Sequence, residues 1–355
     1  SGDIALTAYT YGWFYNDESG QTAAARTSYV WSYYYGMLRN INKVINIANR
    51  QSDINARIAQ HGLPNVYNEK AEKYYTIDGT DTLATYTLQE ADIAGYYAEA
   101  LTMRAYCYSN LIKLYARTNS QLRGAWEDEV VCPIYNENNL EEAQPVATLK
   151  EAYSQVENDL TLAISYFDAL ESTYTRASKL SVDGNVARGL LAYSYLNKAV
   201  PSLPSGRTNY QNALKYAKEV IDKGDFKIIP NANVLTTGFN DVSDNSWMWG
   251  QDVVTETAGG LASFFGQVDI HSYSYAWAGD TKAIDENLYK EIPTFDIRQK
   301  WFNDGSKNAT FKYCPDGKFF SAKSDELQGD RDWLSDNVFM RIETAYLIAS
   351  EAAYR

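Results

Sequence analysis

Only two histidines occur among the 355 residues, His61 and His271. Neither has a second histidine at metal-ligand spacing, and no His-Glu-x-x-His pattern, phosphate loop, nucleophile elbow or dinucleotide glycine pattern is present. The three cysteines, Cys107, Cys132 and Cys314, share no metal or redox spacing. Their odd number leaves room for one disulfide at most, and the sequence does not say which. With 45 acidic residues, some carboxylate pairs must fall at hydrolase distance by chance, so acid pairs carry no weight. The Asn-Asp-Gly at 303–305 lacks the distal glutamate of a calcium loop. A structural calcium therefore stays open without a ligand set, and no other cofactor is implied. The Asn-Ala-Thr at Asn308 is a glycosylation sequon by pattern alone.

Binding chemistry is better represented. The stretch "DIHSYSYAWAGD", residues 269–280, places Tyr273, Tyr275 and Trp277 at alternate positions between small and polar residues. An extended backbone puts such residues on one face. A pyranose has a fairly apolar C–H face rimmed by hydroxyls, which flat aromatic rings and Asn, Asp, Gln or Arg side chains complement, and loops on a rigid scaffold commonly carry such groups. Tyr273, Tyr275 and Trp277, with Asp280 and His271 as polar partners, form the first candidate ligand site. The competing reading of the same alternation is a half-buried strand. A second candidate is "YGWFYND", residues 11–17, where Trp13 and Asn16 precede the first predicted helix; the alternative is that Trp13 and Phe14 anchor the N-terminal segment to the core. Trp247, Trp249 and Trp31 read as packing residues.

Composition narrows the class. Apolar residues make up 45% and charged residues 22% of the chain, a globular balance. The 30 Tyr and 8 Trp supply many rings with an apolar body and a polar tip, suited to partly exposed surfaces. A formal net charge of -13 without any basic run makes nucleic acid an unfavourable partner. No apolar stretch reaches the 18 or more residues of a membrane-spanning helix.

The elements that position these groups are mostly helical. Apolar side chains at Val30, Tyr34, Met37, Ile41, Val44 and Ala48 predict a helix from about Thr22 to Arg50. A polar stretch with Gly62, Pro64 and Gly79 reads as a long connection. A helix from about Glu90 to Arg117 follows, with Tyr97, Leu101, Ala105, Tyr108, Ile112 and Tyr115 on one stripe and polar residues opposite. Thr148 and Glu151 form a capping box ahead of a stripe of Ala152, Val156, Leu160, Ile164 and Phe167. Further helices are predicted from Ser181 to Ala199 and from Asn209 to Lys223, the latter closed by a left-handed Gly224. Residues from Asp225 to about Asp332 are rich in Gly, Asn, Asp and aromatics, with strand-like "FKII" and "WMWG". A last helix is predicted from Val338, with Phe339, Ile342, Tyr346, Ala349 and Ala353 on one face. The fold class is mainly α: tetratricopeptide-like helical hairpins, irregular in spacing, with a loop-rich insertion containing short strands.

The second helix reads "YAEALTMRAYCYSNLIKLYARTN". It resembles the signature helix of the SusD/RagB family, with Glu99, Ala100, Met103, Arg104, Ala105, Tyr106, Tyr108, Leu111 and Tyr115 in matching places. Five more segments resemble the family in the same order: "TLKEAYSQVENDLTLAI", "RASKLSVDGNVARGLLAYSYLNKA", "YQNALKYAKEVIDKGDFKI", "LYKEIPTFDIRQKWF" with Asp296 and Arg298, and "FMRIETAYLIASEAAYR". The resemblance implies one SusD-like domain over residues 1–355, with a helical scaffold at 22–224 and 338–355 and a ligand-binding region at 225–337. It also implies a lipid-anchored protein on the outer face of a Bacteroidetes-type outer membrane. Such a protein captures glycan and passes it to a SusC-like TonB-dependent transporter, without catalysis. The Arg104 and Glu99 pair reads as structural, holding neighbouring helices together. The family's lipidated cysteine and its later C-terminal segment have no counterpart here, so both ends read as lying within a longer chain. The alternatives are a peptide-binding, RagB-like member of the same fold, an all-helical glycoside hydrolase, and a helical-repeat scaffold that recognises another protein.

Overall fold

The computed structural model describes residues 4–6, 25–51, 53–116, 126–200, 204–235, 237–260, 263–271, 273–306, 308–316 and 334–355. The chain divides into two compact units. One comprises Tyr29–Asp225 with Glu343–Arg355; the other comprises Phe226–Ile342 and takes in the N-terminal strand Ile4–Leu6.

The first unit is built on helices α1 (Ala25–Gln51), α2 (Ile54–His61), α3 (Leu88–Tyr115), α4 (Leu149–Ala169), α5 (Gly184–Lys198) and α6 (Pro204–Lys223). From α3 onward, each helix packs on the one before it. Both α3 and α4 start at capping boxes. Thr87 accepts from the Glu90 amide at 3.2 Å while the Glu90 carboxylate accepts from the Thr87 amide at 2.8 Å, and Thr148 with Glu151 repeats both distances. Each box satisfies two amides that a helix start otherwise leaves bare. The predicted α4 stripe of Ala152, Val156, Leu160, Ile164 and Phe167 is buried throughout.

Four expectations about this unit need correction. First, α3 is buried nearly all the way round rather than along one stripe: Ala94, Ala98, Ala100, Leu101, Thr102, Arg104, Cys107 and Leu111 are all inside. Second, the buried stripe of α1 runs through Leu38, Asn42, Ile45 and Ala48, while Val30 and Val44 are exposed. The stripe turns to the polar Asn42 because that side chain accepts from Arg104 at 2.8 Å and donates to the Tyr135 carbonyl at 3.1 Å. Third, the long connection holds α2 and an antiparallel three-stranded sheet, Val66–Asn68, Lys73–Asp78 and Asp81–Thr87. Its inner face pairs Tyr74 with Tyr86 and Thr76 with Ala84. The Gly79–Thr80 turn has Gly79 at φ +58°, the positive value a type II′ turn asks of its first central residue. Fourth, α6 starts at Pro204, and Gly224 is not left-handed; its amide continues the helical pattern to Val220 at 3.0 Å.

The C-terminal end also differs. Asn337–Arg341 is a strand antiparallel to Trp247–Gln251, and the helix spans Ile342–Tyr354. Starting the helical turn at Ile342 moves the buried stripe to Ile342, Ala345, Ile348 and Ala352, leaving Phe339, Tyr346 and Ala353 exposed. Within the first unit, Ile348 and Ala352 pack against Ala192, Tyr210, Ala213 and Ala217.

Arg104 is the polar centre of the helical unit. Its guanidinium donates twice to Asp159, at 2.8 and 2.7 Å, once to Asn42 and once to Glu137 at 2.6 Å, with the Arg104 and Asp159 side chains 6% and 5% exposed. Glu99 accepts instead from the Tyr174 hydroxyl at 2.5 Å. Arg104 and Glu99 therefore tie down different neighbours and do not pair with each other. Gly95, on the same helix, lies flat against Tyr174: a Cβ there would come within 2.2 Å of the ring.

In the second unit, Ile4–Leu6 pairs antiparallel with Lys282–Ile284. Trp247 and Trp249 are core residues, with the Trp247 indole donating to the Gly238 carbonyl at 2.9 Å. "FKII" forms no strand; its Lys227 amide instead donates to the Asn245 carbonyl. The buried Asn303 of the Asn-Asp-Gly turn donates to the carbonyls of Asn308 and Phe311, so that turn staples its own loop. Asp296 caps a short 3-10 turn and holds Arg298 through both carboxylate oxygens. All three cysteines are free thiols and buried, so the one disulfide the sequence left open does not form.

Candidate functional site

Residues 269–271 and 273–280 form a turn-rich loop rather than a strand. The loop follows the short helix Phe264–Val268, capped by Ser263, whose hydroxyl accepts from Gly266 at 3.0 Å. Three small groups then fix its path. The Tyr275 amide donates to the Gly266 carbonyl at 3.0 Å. The buried Ser274 hydroxyl donates to the Asp269 carbonyl and accepts from the Trp277 amide at 2.9 Å. Ala276, fully buried, joins Ile270, Phe311 and Cys314 in a local apolar cluster.

With Ser274 and Ala276 turned inward, the residues between and beside them turn outward. Tyr273 is 67% exposed, Tyr275 47% and Trp277 49%. The in-and-out alternation expected of a strand is thus kept by a different backbone, and the rings face solvent, not the core. Tyr273 and Trp277 lie side by side, ring centroids 5.8 Å apart and tilted by 58°, forming a bent aromatic ledge. Three exposed rings in one short segment are unusual on a surface, where large apolar groups usually stand singly.

Polar groups stand at both ends of the loop. Asp280 closes the loop by donating its amide to the Tyr275 carbonyl at 2.9 Å, after Gly279 at φ +110°. Its carboxylate pairs with Lys282 at 3.0 Å. His271 lies 2.7 Å from Asp316 through Nε2, while its amide donates to Asp269 at 2.7 Å. Sequence reasoning missed Lys282 and Asp316, since neither lies in a pattern that singles it out. Trp13 and Asn16 lie outside the described residues. Among the described residues no group of three or more His, Cys, Asp or Glu side chains could hold a metal ion, and no helix is long and apolar enough to cross a membrane.

No family model and no curated protein matches this sequence. Solved structures do match. A SusD-like carbohydrate binding protein from Bacteroides vulgatus superimposes with a TM-score of 0.69 at 20% identity, covering 99% of this chain and 63% of its own. A SusD superfamily protein from Bacteroides thetaiotaomicron gives 0.63 at 15% identity, over 91% of this chain and 61% of its own. A third, solved with xylogluco-oligosaccharide, gives 0.50 at 15% identity, over 92% and 60%. The chain spans about three fifths of the length of each. Hairpin-paired helices joined to a loop-rich unit, matched over nearly the whole of this chain, give it the fold of the SusD-like proteins.

Proposed function

We propose that this protein binds an oligosaccharide and that Tyr273, Tyr275 and Trp277 form the surface that stacks on it, with Asp280 and Lys282 placed for hydroxyl contacts. The observation that carries the reading is the outward display of the three rings on a backbone pinned from beneath by Ser274 and Ala276. A rigid ledge loses little conformational freedom on binding, and this favours affinity. The fold supports the reading because similar structures include a carbohydrate binding protein and one solved with an oligosaccharide. Trp13 and Asn16 are proposed as further contacts on the same ligand.

Capture without turnover is the activity proposed. The protein would pass its ligand to a SusC-like TonB-dependent transporter, held by a lipid anchor at the outer face of the outer membrane. Affinity electrophoresis against a panel of neutral polysaccharides, with chromatography of the incubated glycans, tests this reading. Retarded migration with unchanged glycans is expected. Shortened glycans would refute binding without turnover, and retardation by none of the panel, with binding to a peptide pool, would favour the peptide-binding alternative.

A further inference from the structure

We propose that the helical unit carries a second, separate sugar subsite, a cleft on α1 that takes a pyranose bearing a carboxylate. It goes beyond the aromatic ledge and shares no residue with it. The cleft has a volume of about 430 Å³ and is lined by Trp31, Tyr35 and Arg39 of α1 and by Pro133 and Tyr135 of the facing segment. This volume falls within the range of small-molecule pockets.

Its walls are fixed before any ligand arrives. The Tyr35 hydroxyl donates to the Pro133 carbonyl at 2.7 Å, and the Tyr35 and Tyr135 rings meet edge to face at 5.9 Å. Tyr135 is held through its backbone: its carbonyl accepts from Asn42 at 3.1 Å, and its amide donates to the Tyr108 hydroxyl at 2.7 Å. Trp31 is braced by Tyr35 at 4.8 Å and Tyr115 at 4.9 Å.

The charge in the cleft is what selects the ligand. Arg57, Arg104, Arg176, Arg188 and Arg298 each hold a carboxylate of this chain. Arg39 is exposed and, among the described residues, makes no hydrogen bond or ion pair. A guanidinium fork matches a planar carboxylate better than any neutral group. Aromatic walls suit the C–H face of a sugar ring, and a single free guanidinium beside them suits an acid on that ring. A uronic acid residue of a glycan has both.

The test is calorimetric titration with short galacturonic acid oligosaccharides and with their neutral methyl esters, using wild type, Arg39→Ala and Trp277→Ala. Wild type is expected to bind the acid form, Arg39→Ala to weaken it about ten-fold or more, and Trp277→Ala to leave it unchanged. Arg39 is exposed, so its replacement should leave the melting temperature as in wild type. The proposal is overturned if the acid form does not bind, if acid and ester bind equally, if Arg39→Ala binds like wild type, or if phenylacetate binds as tightly as the uronate. Neutral glycan binding that depends on Trp277, with no uronate binding, would remove this cleft and leave the proposed function standing.

Discussion

Replacing Asp159 with alanine leaves the Arg104 guanidinium buried with two of its four hydrogen bonds gone. Asn42 and Glu137 remain as partners, but the bidentate acceptor is lost from a site where both side chains are almost fully buried. Removing one partner of a buried ion pair costs about 3–5 kcal/mol, because the remaining charge keeps its desolvation cost. For a unit of this size that corresponds to a fall of roughly 6–20 °C in melting temperature. Circular dichroism at 222 nm, dominated by the helices, is the assay. The control is Arg104→Met combined with Asp159→Leu, which removes both charges and should recover much of the loss. If Asp159→Ala melts within a degree or two of wild type, Arg104 does not depend on Asp159, and Asn42 and Glu137 suffice to hold it.

Gly95→Ala should destabilise the helical unit by about 1–3 kcal/mol, the usual cost of overpacking, since its methyl group would enter the Tyr174 ring; thermal melts of Gly95→Ala alone and with Tyr174→Ala would show the second change relieving the first. Burial pushes the thiol of Cys107 up to about 12 and those of Cys132 and Cys314 up to about 11, so at pH 8 the thiolate is scarce. Native protein should react with a thiol reagent far more slowly than denatured protein, which should titrate three thiols. The Arg298 guanidinium holds the Asp296 carboxyl down at about 2. A depressed carboxyl pKa stabilises the fold above the ordinary carboxylate range and loses that contribution as pH falls towards 2; NMR titration should show Asp296 moving back up in Arg298→Ala.

Much of the helical unit was legible because its signals are local. Thr148 and Glu151 announce a helix start through hydrogen bonds within four residues, and the stripe that follows must face inward if it is apolar. The same logic misread α1, because the side chain that sets its inward face is Asn42. What buries Asn42 is Arg104, 62 residues away, and no periodicity records that. The sheet at 66–87 was missed since its inner face consists of Tyr74, Thr76, Ala84 and Tyr86, a mixed set that does not alternate cleanly between apolar and polar. At Val338 the period was read through a strand into a helix, and the stripe came out of phase. In the aromatic loop the alternation was read correctly as in-and-out, though its cause is Ser274 and Ala276 anchoring a series of turns. Lys282 and Asp316 could not be found beforehand, because only the folded path of the chain pairs them with Asp280 and His271.

The most direct test of the central claim is calorimetric titration of the neutral glycan that most retards the wild-type protein, repeated with Trp277→Ala. Trp277 is half exposed and its ring neighbour is the exposed Tyr273, so the variant should stay folded, with a melting temperature close to that of wild type. Loss of its stacking face should cost on the order of 1 kcal/mol or more, about five-fold in Kd. A folded Trp277→Ala protein that binds this glycan as tightly as wild type would contradict the account and take the ligand away from the ledge.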